Sequence, residues 1–454
     1  MSKKYDYDYI VIGSGPAGST IATSLAQGKK RVCLIEGGQF GGANLNSRDI
    51  PYGINLDFAH NYAQLKTYPA MSGQEFHYNF PTIVSHTEHT ISTMRATALQ
   101  KILDSGVTYL EGYAHFLDPN TVSVNNAQYT ASNFILATGS RLKCKEISGL
   151  DSVNYLTPDT ALKIRRLPKY VFVVGGGPTG CEIASYFAEL GTKVILMERS
   201  ARILPSEDKE VSQTLTEYFT NELGVRVIPS AKVVAIEQDN LSKRVIFNSA
   251  GQEKFVRVDC IVLATGSAPS TDYGLENAGV KYKNSGIIVD KSFQTSARHI
   301  YAIGDCTGNK DSSTERAEYE ASILSANLLH KSKLNPNYTG FIRQVNTYPN
   351  IATVGMNEYN LLSSDRRHKK SIIYLKDLPS AQAHHQKYGF VKLLSDSNGK
   401  LLGGTIVAPD ATNMALELSL AIRHRQSVLT IASTPYPTNS LSYAIKLSAQ
   451  KLAR

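Results

Sequence analysis

Short, continuous apolar runs that break off into glycine punctuate the chain. Residues 9–12, 134–136, 170–174, 261–263 and 300–303 are of this kind. Apolar character without alternation over so few positions predicts strands buried on both faces of a parallel sheet. The first run leads into Gly13-Ser14-Gly15-Pro16-Ala17-Gly18, which fits G-x-G-x-x-G and opens a predicted helix. Each glycine has its own task there: Gly13 permits the tight turn, Gly15 lets the backbone approach a pyrophosphate, and Gly18 lets helix and strand pack closely. The helix N-terminus then presents N–H groups and the positive end of its dipole to the phosphates. Residues 31–35 predict a second strand that closes on Glu36, 18 positions past Gly18 and placed to accept hydrogen bonds from ribose hydroxyls.

The whole pattern returns. Residues 170–174 lead into Gly175-Gly176-Gly177-Pro178-Thr179-Gly180, and residues 193–197 end on Glu198. Positions 13 and 175, 15 and 177, 18 and 180, and 36 and 198 are thus all separated by 162. One glycine fingerprint is weak evidence, whereas the same five-part series twice predicts two dinucleotide sites in one chain. Two small-residue turns also match each other, Ala137-Thr138-Gly139-Ser140 and Ala264-Thr265-Gly266-Ser267, each after an apolar strand. The last run ends in Gly304-Asp305, where Asp305 is either an acceptor for a cofactor's ribityl chain or a plain turn residue.

With 454 residues the chain exceeds a single core and predicts two to four domains. Its 42% apolar and 19% charged content is that of an ordinary globular protein, and no apolar stretch is long enough to span a membrane as a helix. The first strand follows the N-terminus so closely that no removable leader is expected, and a cytoplasmic location is the default. The formal charge of +9 is scattered apart from runs such as Lys29-Lys30-Arg31 and Arg366-Arg367-His368-Lys369-Lys370. These read as solvated faces, and no nucleic-acid partner is expected. The five cysteines (Cys33, Cys144, Cys181, Cys260, Cys306) show no C-x-x-C spacing, so neither a zinc site nor a disulfide framework is indicated. His86 and His89 fit one helix face, but no third ligand accompanies them or His77, His384 and His385, and no metal is expected.

Taken together, both fingerprints, both Ala-Thr-Gly turns, Gly304-Asp305, Tyr348-Pro349-Asn350-Ile351-Ala352-Thr353-Val354-Gly355 and Gly389-Phe390-Val391-Lys392-Leu393 resemble the FAD/NAD-dependent pyridine nucleotide-disulfide oxidoreductases, the family of dihydrolipoamide dehydrogenase, glutathione reductase and mercuric reductase. The resemblance covers nearly the whole chain. It implies an α/β fold with two Rossmann-like dinucleotide-binding domains and an α+β C-terminal dimerisation domain. The expected bounds are 1–149 with 268–334 for FAD, 150–267 for NAD(P), and 335–454 for the interface of a homodimer. FAD is then expected on Gly13, Gly15, Pro16, Ala17, Gly18, Glu36 and Gly37, with Gly41, Gly42, Ala43, Ala114, Ala137, Thr138, Gly139, Gly304 and Asp305. The nicotinamide nucleotide is expected on Gly175, Gly177, Thr179, Gly180, Glu198 and Arg199, with Ala264, Thr265 and Gly266. Glu198 favours NADH by repelling the 2′-phosphate of NADPH, and the nearby Arg199 and Arg202 soften that preference without excluding NADPH.

The chain departs from the family where the electrons leave. The family's redox disulfide lies in a G-G-T-C-x-x-x-x-C-I-P-like stretch, which here reads Gly41-Gly42-Ala43-Asn44-Leu45-Asn46-Ser47-Arg48-Asp49-Ile50-Pro51, with Asn44 and Asp49 at the two thiol positions. Only sulfur performs thiol–disulfide exchange, so that route is closed. The family's His-Pro-Thr-x-x-Glu reads Tyr436-Pro437-Thr438-Asn439-Ser440-Leu441, which replaces the acid–base histidine by Tyr436 and its orienting carboxylate by Leu441. An ordinary tyrosine is a poor base at neutral pH. A lysine expected near the flavin aligns with Gly53, while its glutamate partner persists as Glu182, which needs a new partner, for which Arg48 is one candidate, or water. The cofactor-holding features remain and the dithiol machinery has gone together. An FAD-dependent NAD(P)H oxidoreductase with a non-disulfide small-molecule acceptor (a quinone, another small oxidant or oxygen) is therefore expected. Its acceptor would enter beside Asn44, Asp49 and the partner subunit's Tyr436. The alternatives are a flavin dehydrogenase of a specific small substrate, with Tyr436 or Asp49 as acid or base, and a non-catalytic FAD/NADH sensor. Cys306, next to Asp305, reads as a small buried hydrophobe in preference to a reactive thiol.

Overall fold

In the computed structural model, which describes residues 5–67, 76–143, 147–308, 313–383 and 385–454, the apolar runs are strands. Strand β1 (Tyr7–Ile12) sits at the middle of a parallel arrangement, paired with β2 (Val32–Glu36) on one side and β6 (Ala127–Leu136) on the other. Helix α1 (Pro16–Gln27) links β1 to β2. After it come the short helix α2 (Gly42–Asn46), α3 (Asp49–Thr67) and α4 (Phe80–Asp104), then β3 (Thr108–Glu111), β4 (His115–Asp118) and β5 (Thr121–Val124). The sheet order is β3-β2-β1-β6-β5-β4, with Ile300–Ala302 added in parallel on β6. Ile10 and Val11 are fully buried on opposite faces of this sheet, in the two clusters that cover it. The second strand starts one residue later than the expected 31–35, because the Arg31 backbone N–H is taken by the Asp8 carboxylate at 2.9 Å. It also includes Glu36, which pairs with Glu111 of β3.

The repeat follows the same plan with β7 (Tyr170–Val174), α5 (Pro178–Glu189), β8 (Lys193–Met197), α6 (Lys209–Asn221), β9 (Arg226–Ile228) and β10 (Cys260–Leu263). These four strands form a parallel sheet in the order β9-β8-β7-β10, and the antiparallel sheet Ala231–Asp239, Ser242–Ser249, Gln252–Val258 covers part of it. The C-terminal segment is a five-stranded antiparallel sheet built from β11 (Ile342–Val345), β12 (Asn350–Gly355), β13 (Lys369–Tyr374), β14 (Phe390–Ser395) and β15 (Leu401–Ala408), in the order β11-β12-β15-β14-β13. Helices α7 (Ala411–Arg423) and α8 (Tyr443–Ala453) pack on it over Val391, Leu393, Ile406, Leu418 and Ile445.

The chain divides into two compact units, Met1–Ile54 with Pro81–Cys144 and Gly266–Asn337, and Asn55–Phe80 with Lys145–Thr265 and Tyr338–Arg454. The second unit therefore holds both the repeated fingerprint and the C-terminal sheet. Among the described residues no helix is long and apolar enough to cross a membrane. His86 and His89 lie exposed on α4, His77 and His385 are exposed in loops, and His384 and Cys144 fall outside the described residues.

Candidate active site

The glycines of each fingerprint divide by what surrounds them. Gly13 has φ +103°, and a Cβ there would stand 2.3 Å from the Ala137 carbonyl oxygen; at Gly18 a Cβ would stand 1.8 Å from the Gly13 oxygen. The repeat is the same: Gly175 has φ +111° with Ala264 O at 2.3 Å, and Gly180 meets Gly175 O at 1.8 Å. First and third glycines are thus required by backbone packing, and the Ala-Thr-Gly turns supply the opposing carbonyls. The middle glycines differ, since a Cβ on Gly15 or Gly177 would meet nothing within 4 Å. Each opens on a cradle at a helix N-terminus, next to Pro16 or Pro178 in the first helical turn, where a missing N–H costs nothing. That combination of open backbone and unpaired helix N–H groups is what a pyrophosphate requires.

The two acids are held alike. Glu36 Oε2 accepts from Ser14 N at 2.8 Å and Ser14 Oγ at 2.7 Å, and its Oε1 accepts from Gly38 N at 2.7 Å. Glu198 Oε2 accepts from Gly176 N at 2.7 Å and its Oε1 from Ser200 N at 2.7 Å. Backbone N–H groups thus clamp both carboxylates over the glycine turns, and the residues donating them keep the 162-residue separation of the fingerprints. Arg202 is committed to its own loop, donating to Ser212 Oγ at 2.6 Å, Pro205 O at 2.9 Å and Leu204 O at 3.2 Å, while Arg199 is exposed. The Tyr113 ring, 81% exposed, stands so close over Gly37 that a Cβ there would lie 2.5 Å from it, beside the buried Ala114. Nothing in the sequence singled out this tyrosine.

Asp305 is held by side chains from two other segments. Its Oδ2 accepts from Ser140 Oγ at 3.0 Å and faces Arg48 Nη1 at 3.8 Å, while the preceding Gly304 N–H donates to Glu320 Oε2 at 2.8 Å. Glu320 is buried and bonded in turn to Arg316 at 2.9 Å, an arrangement that fixes the Gly304-Asp305 turn from the helix Thr314–His330. Cys306 is fully buried, with Sγ bonded to Ile303 O at 3.2 Å and Leu136 O at 3.3 Å, and burial pushes its thiol up to about 12. Burial likewise raises Cys33 to about 12, Cys260 to about 11, and Cys181 well above its ordinary value. The described cysteines are all free thiols, and each is a protonated packing residue at neutral pH.

Asn44 and Asp49 come together. Gly41 and Gly42, at φ +93° and +60°, turn the chain into α2, which carries Ala43 and Asn44, and Asp49 opens α3. Asn44 Nδ2 donates to Asp49 Oδ2 at 2.9 Å and to Thr314 Oγ1 at 2.7 Å, and the Thr314 hydroxyl itself donates to Asp49 Oδ2. Thr314 lies 270 positions from Asn44 and was not singled out in the sequence; its one local signal is the Ser313 cap that starts its helix. In the second unit, Glu182 Oε1 accepts from Asn346 N at 2.8 Å, so the carboxylate has a backbone partner. Tyr436 Oη donates to Glu417 Oε2 at 2.8 Å. The sequence placed the lost orienting carboxylate at Leu441, which packs against the C-terminal core; the structure supplies one from α7 instead. Burial and this carboxylate together hold the Tyr436 hydroxyl well above its ordinary value, and burial raises Glu417 as well.

Residues 7–321 match the family model for pyridine nucleotide-disulphide oxidoreductase, and residues 343–449 match its dimerisation domain. The chain belongs to this family. It is 30% identical over 460 residues to a mercuric reductase of Streptomyces lividans, covering 98% of this chain and 96% of that one. It is also 30% identical over 446 residues to a dihydrolipoyl dehydrogenase of Mycoplasma genitalium, covering 95% and 96%. Among solved structures it superposes on the HOCl-induced flavoprotein disulfide reductase RclA from Escherichia coli in its Cu(II) complex, with a TM-score of 0.89 at 23% identity over 99% of this chain and all of that one. LpdA from Mycobacterium tuberculosis gives a TM-score of 0.87 at 25% identity, covering 98% and 99%. Members of the pyridine nucleotide-disulphide oxidoreductase family are FAD-dependent, with NAD(P)H as electron donor.

One more polar group of this family member has the spacing of an ion site. Asp208, Glu210 and Glu358 bring carboxylate oxygens within 4.8 Å of one another. The Lys392 ammonium stands among them, at 2.9 Å from Asp208, 3.0 Å from Glu210 and 2.5 Å from Glu358, with a fully buried side chain. The lysine thus offsets part of the negative charge of this cluster.

Proposed function

We propose that this protein is an FAD-dependent NAD(P)H oxidoreductase that passes electrons to a non-disulfide acceptor: a quinone, another small oxidant or oxygen. The observation that carries this reading is the Asn44–Asp49–Thr314 cluster. Within the run Gly41 to Pro51 two polar side chains are bridged by a hydrogen bond of 2.9 Å, where thiol–disulfide exchange would need two sulfurs. Among the described residues Cys33, Cys181 and Cys306 are buried and Cys260 is half-buried, and burial raises each thiol, so none offers a reactive substitute.

In this reading the cradle at Gly13, Gly15 and Gly18 and the acid Glu36 hold FAD, together with Asp305, and the cradle at Gly175, Gly177 and Gly180 with Glu198 holds the nicotinamide nucleotide. Bound there, a flavin would supply two-electron chemistry with the nicotinamide nucleotide as hydride donor. Glu198 and the self-contained Arg202 favour NADH. Acid–base work falls to the partner subunit's Tyr436 in a homodimer. The exposed Leu416, Leu420 and Leu429, at 53%, 61% and 63%, mark the C-terminal face for that dimer.

The test is an anaerobic titration of the flavin-loaded protein with NADH and NADPH, followed by quinones, dyes, oxygen, lipoamide and glutathione disulfide. Bleaching by NADH and recovery with a quinone or oxygen is the expected result. Rapid turnover of lipoamide or glutathione disulfide, or a long-wavelength thiolate–flavin band, refutes the reading.

A further inference from the structure

Tyr436 and Glu417 form a pair with an unmet bonding capacity. The Tyr436 hydroxyl donates to Glu417 Oε2 at 2.8 Å, yet Glu417 Oε1 is buried and meets no hydrogen-bond partner among the described residues. A carboxylate with one oxygen desolvated and unpaired is held less well than its neutral acid, which has only a proton to accommodate. Among the described residues, Tyr436 is the one ionisable group that acts on Glu417, and Glu417 the one that acts on Tyr436. The hydroxyl oxygen of Tyr436 keeps its lone pairs for a second partner.

We propose that Glu417 is the positioning residue and proton reservoir for Tyr436, and that the pair delivers one proton to an oxygen-bearing two-electron acceptor of the quinone class. This rests on the preceding reading, in which Tyr436 serves the acceptor. The overall exchange is NADH + H⁺ + quinone → NAD⁺ + hydroquinone. NADH provides two electrons and one proton, and solvent provides the other proton. Glu417 takes that solvent proton up, then passes it to Tyr436 Oη as the phenolic O–H bond breaks and a new O–H bond forms on the quinone oxygen. Tyr436 ends as the neutral phenol, and Glu417 as a carboxylate again accepting from it.

The holoenzyme is reduced anaerobically with NADH and mixed with a water-soluble quinone or with ferricyanide, which takes electrons without protons, in wild type, Glu417→Gln, Glu417→Asp and Tyr436→Phe. Glutamine keeps the acceptor for Tyr436 but carries no transferable acid proton. With quinone, E417Q and Y436F are expected to slow flavin reoxidation about 100-fold, as loss of general acid catalysis does. E417D is expected to recover part of the rate, and ferricyanide to react equally with all four. A quinone rate in E417Q equal to wild type, or a ferricyanide rate that falls in parallel, overturns the relay. Independently of turnover, the ζ-carbon NMR shift of Tyr436, assigned by its loss in Y436F, is expected to move with the titration of Glu417 in wild type and to stay constant in E417Q. A wild-type shift that ignores pH also overturns the relay, whatever the acceptor. A wild-type enzyme that bleaches with NADH but recovers only with a disulfide overturns the preceding reading instead.

Discussion

Replacing Lys392 by Met tests how the second unit is held together. The lysine side chain is fully buried, and the carboxylates it touches are 1%, 10% and 12% exposed at Asp208, Glu210 and Glu358. Breaking a buried ion pair by removing one partner typically costs about 3–5 kcal/mol, because it leaves charge uncompensated in a poorly solvated place. Glu358 gives a second measure. Burial alone would raise it, but hydrogen bonds from Lys370 and Lys392 outweigh that and hold it at about 2, against an ordinary 4.5. At roughly 1.4 kcal/mol per pKa unit this is at most about 3.5 kcal/mol, shared between two lysines and reduced by partial exposure. A loss of about 3 kcal/mol in Lys392→Met is therefore expected in urea unfolding at neutral pH. The sign with pH is diagnostic. In wild type the depressed Glu358 contributes stability above its unfolded value that is lost as pH falls towards about 2. In the variant the unneutralised carboxylates repel one another and gain from protonation, so the gap from wild type narrows as pH falls through the carboxylate range. A gap below about 1 kcal/mol at neutral pH, the size of an exposed pair, or one that does not change with pH, refutes the ionic account.

The same variant removes the ammonium from three carboxylates whose oxygens lie within 4.8 Å, a set suited to a hard divalent cation, so Ca²⁺ is expected to restore stability to K392M and leave wild type unchanged in the same urea titration. At the glycine turns, Gly15→Val is expected to fold and lose its flavin, read as the flavin-to-protein absorbance ratio, because the side chain enters space the protein leaves open. Gly18→Ala, whose Cβ would lie 1.8 Å from the Gly13 oxygen, is expected to lose stability. Gly177→Val is expected to keep its yellow colour but bleach slowly with NADH, which a nicotinamide titration measures. Asn44→Phe is expected to raise KM for the acceptor while leaving flavin bleaching by NADH unchanged; unaltered acceptor kinetics would count against the Asn44 cluster. Leu416→Arg with Leu420→Arg places two charges on an apolar face and is expected to shift the protein to monomers in analytical ultracentrifugation.

What the sequence made legible follows from the range over which its signals act. The fingerprints, the buried strands and the acids at their ends are encoded within about 30 consecutive positions, where glycine sterics and apolar runs leave little choice. Their repetition at one offset extended that local evidence to the whole architecture. The polar groups of the candidate site are different in kind. Asn44 and Asp49 were visible because they lie within one turn-helix segment, but their third partner is 270 positions away at Thr314. Lys392 reaches Glu210 across 182 positions, and nothing near a lysine inside an apolar strand announces that three acids will meet it. Tyr436 shows why a motif read residue by residue falls short. Its own motif offers only Leu441, so it appeared to have lost its orienting carboxylate. Yet Glu417, on the helix packed beside it, bonds the hydroxyl at 2.8 Å. A side chain's chemistry is set by whatever the fold brings within about 3 Å of it. The loss of a motif position therefore says that one particular partner has gone; only the packed chain says whether the function of that partner has gone with it.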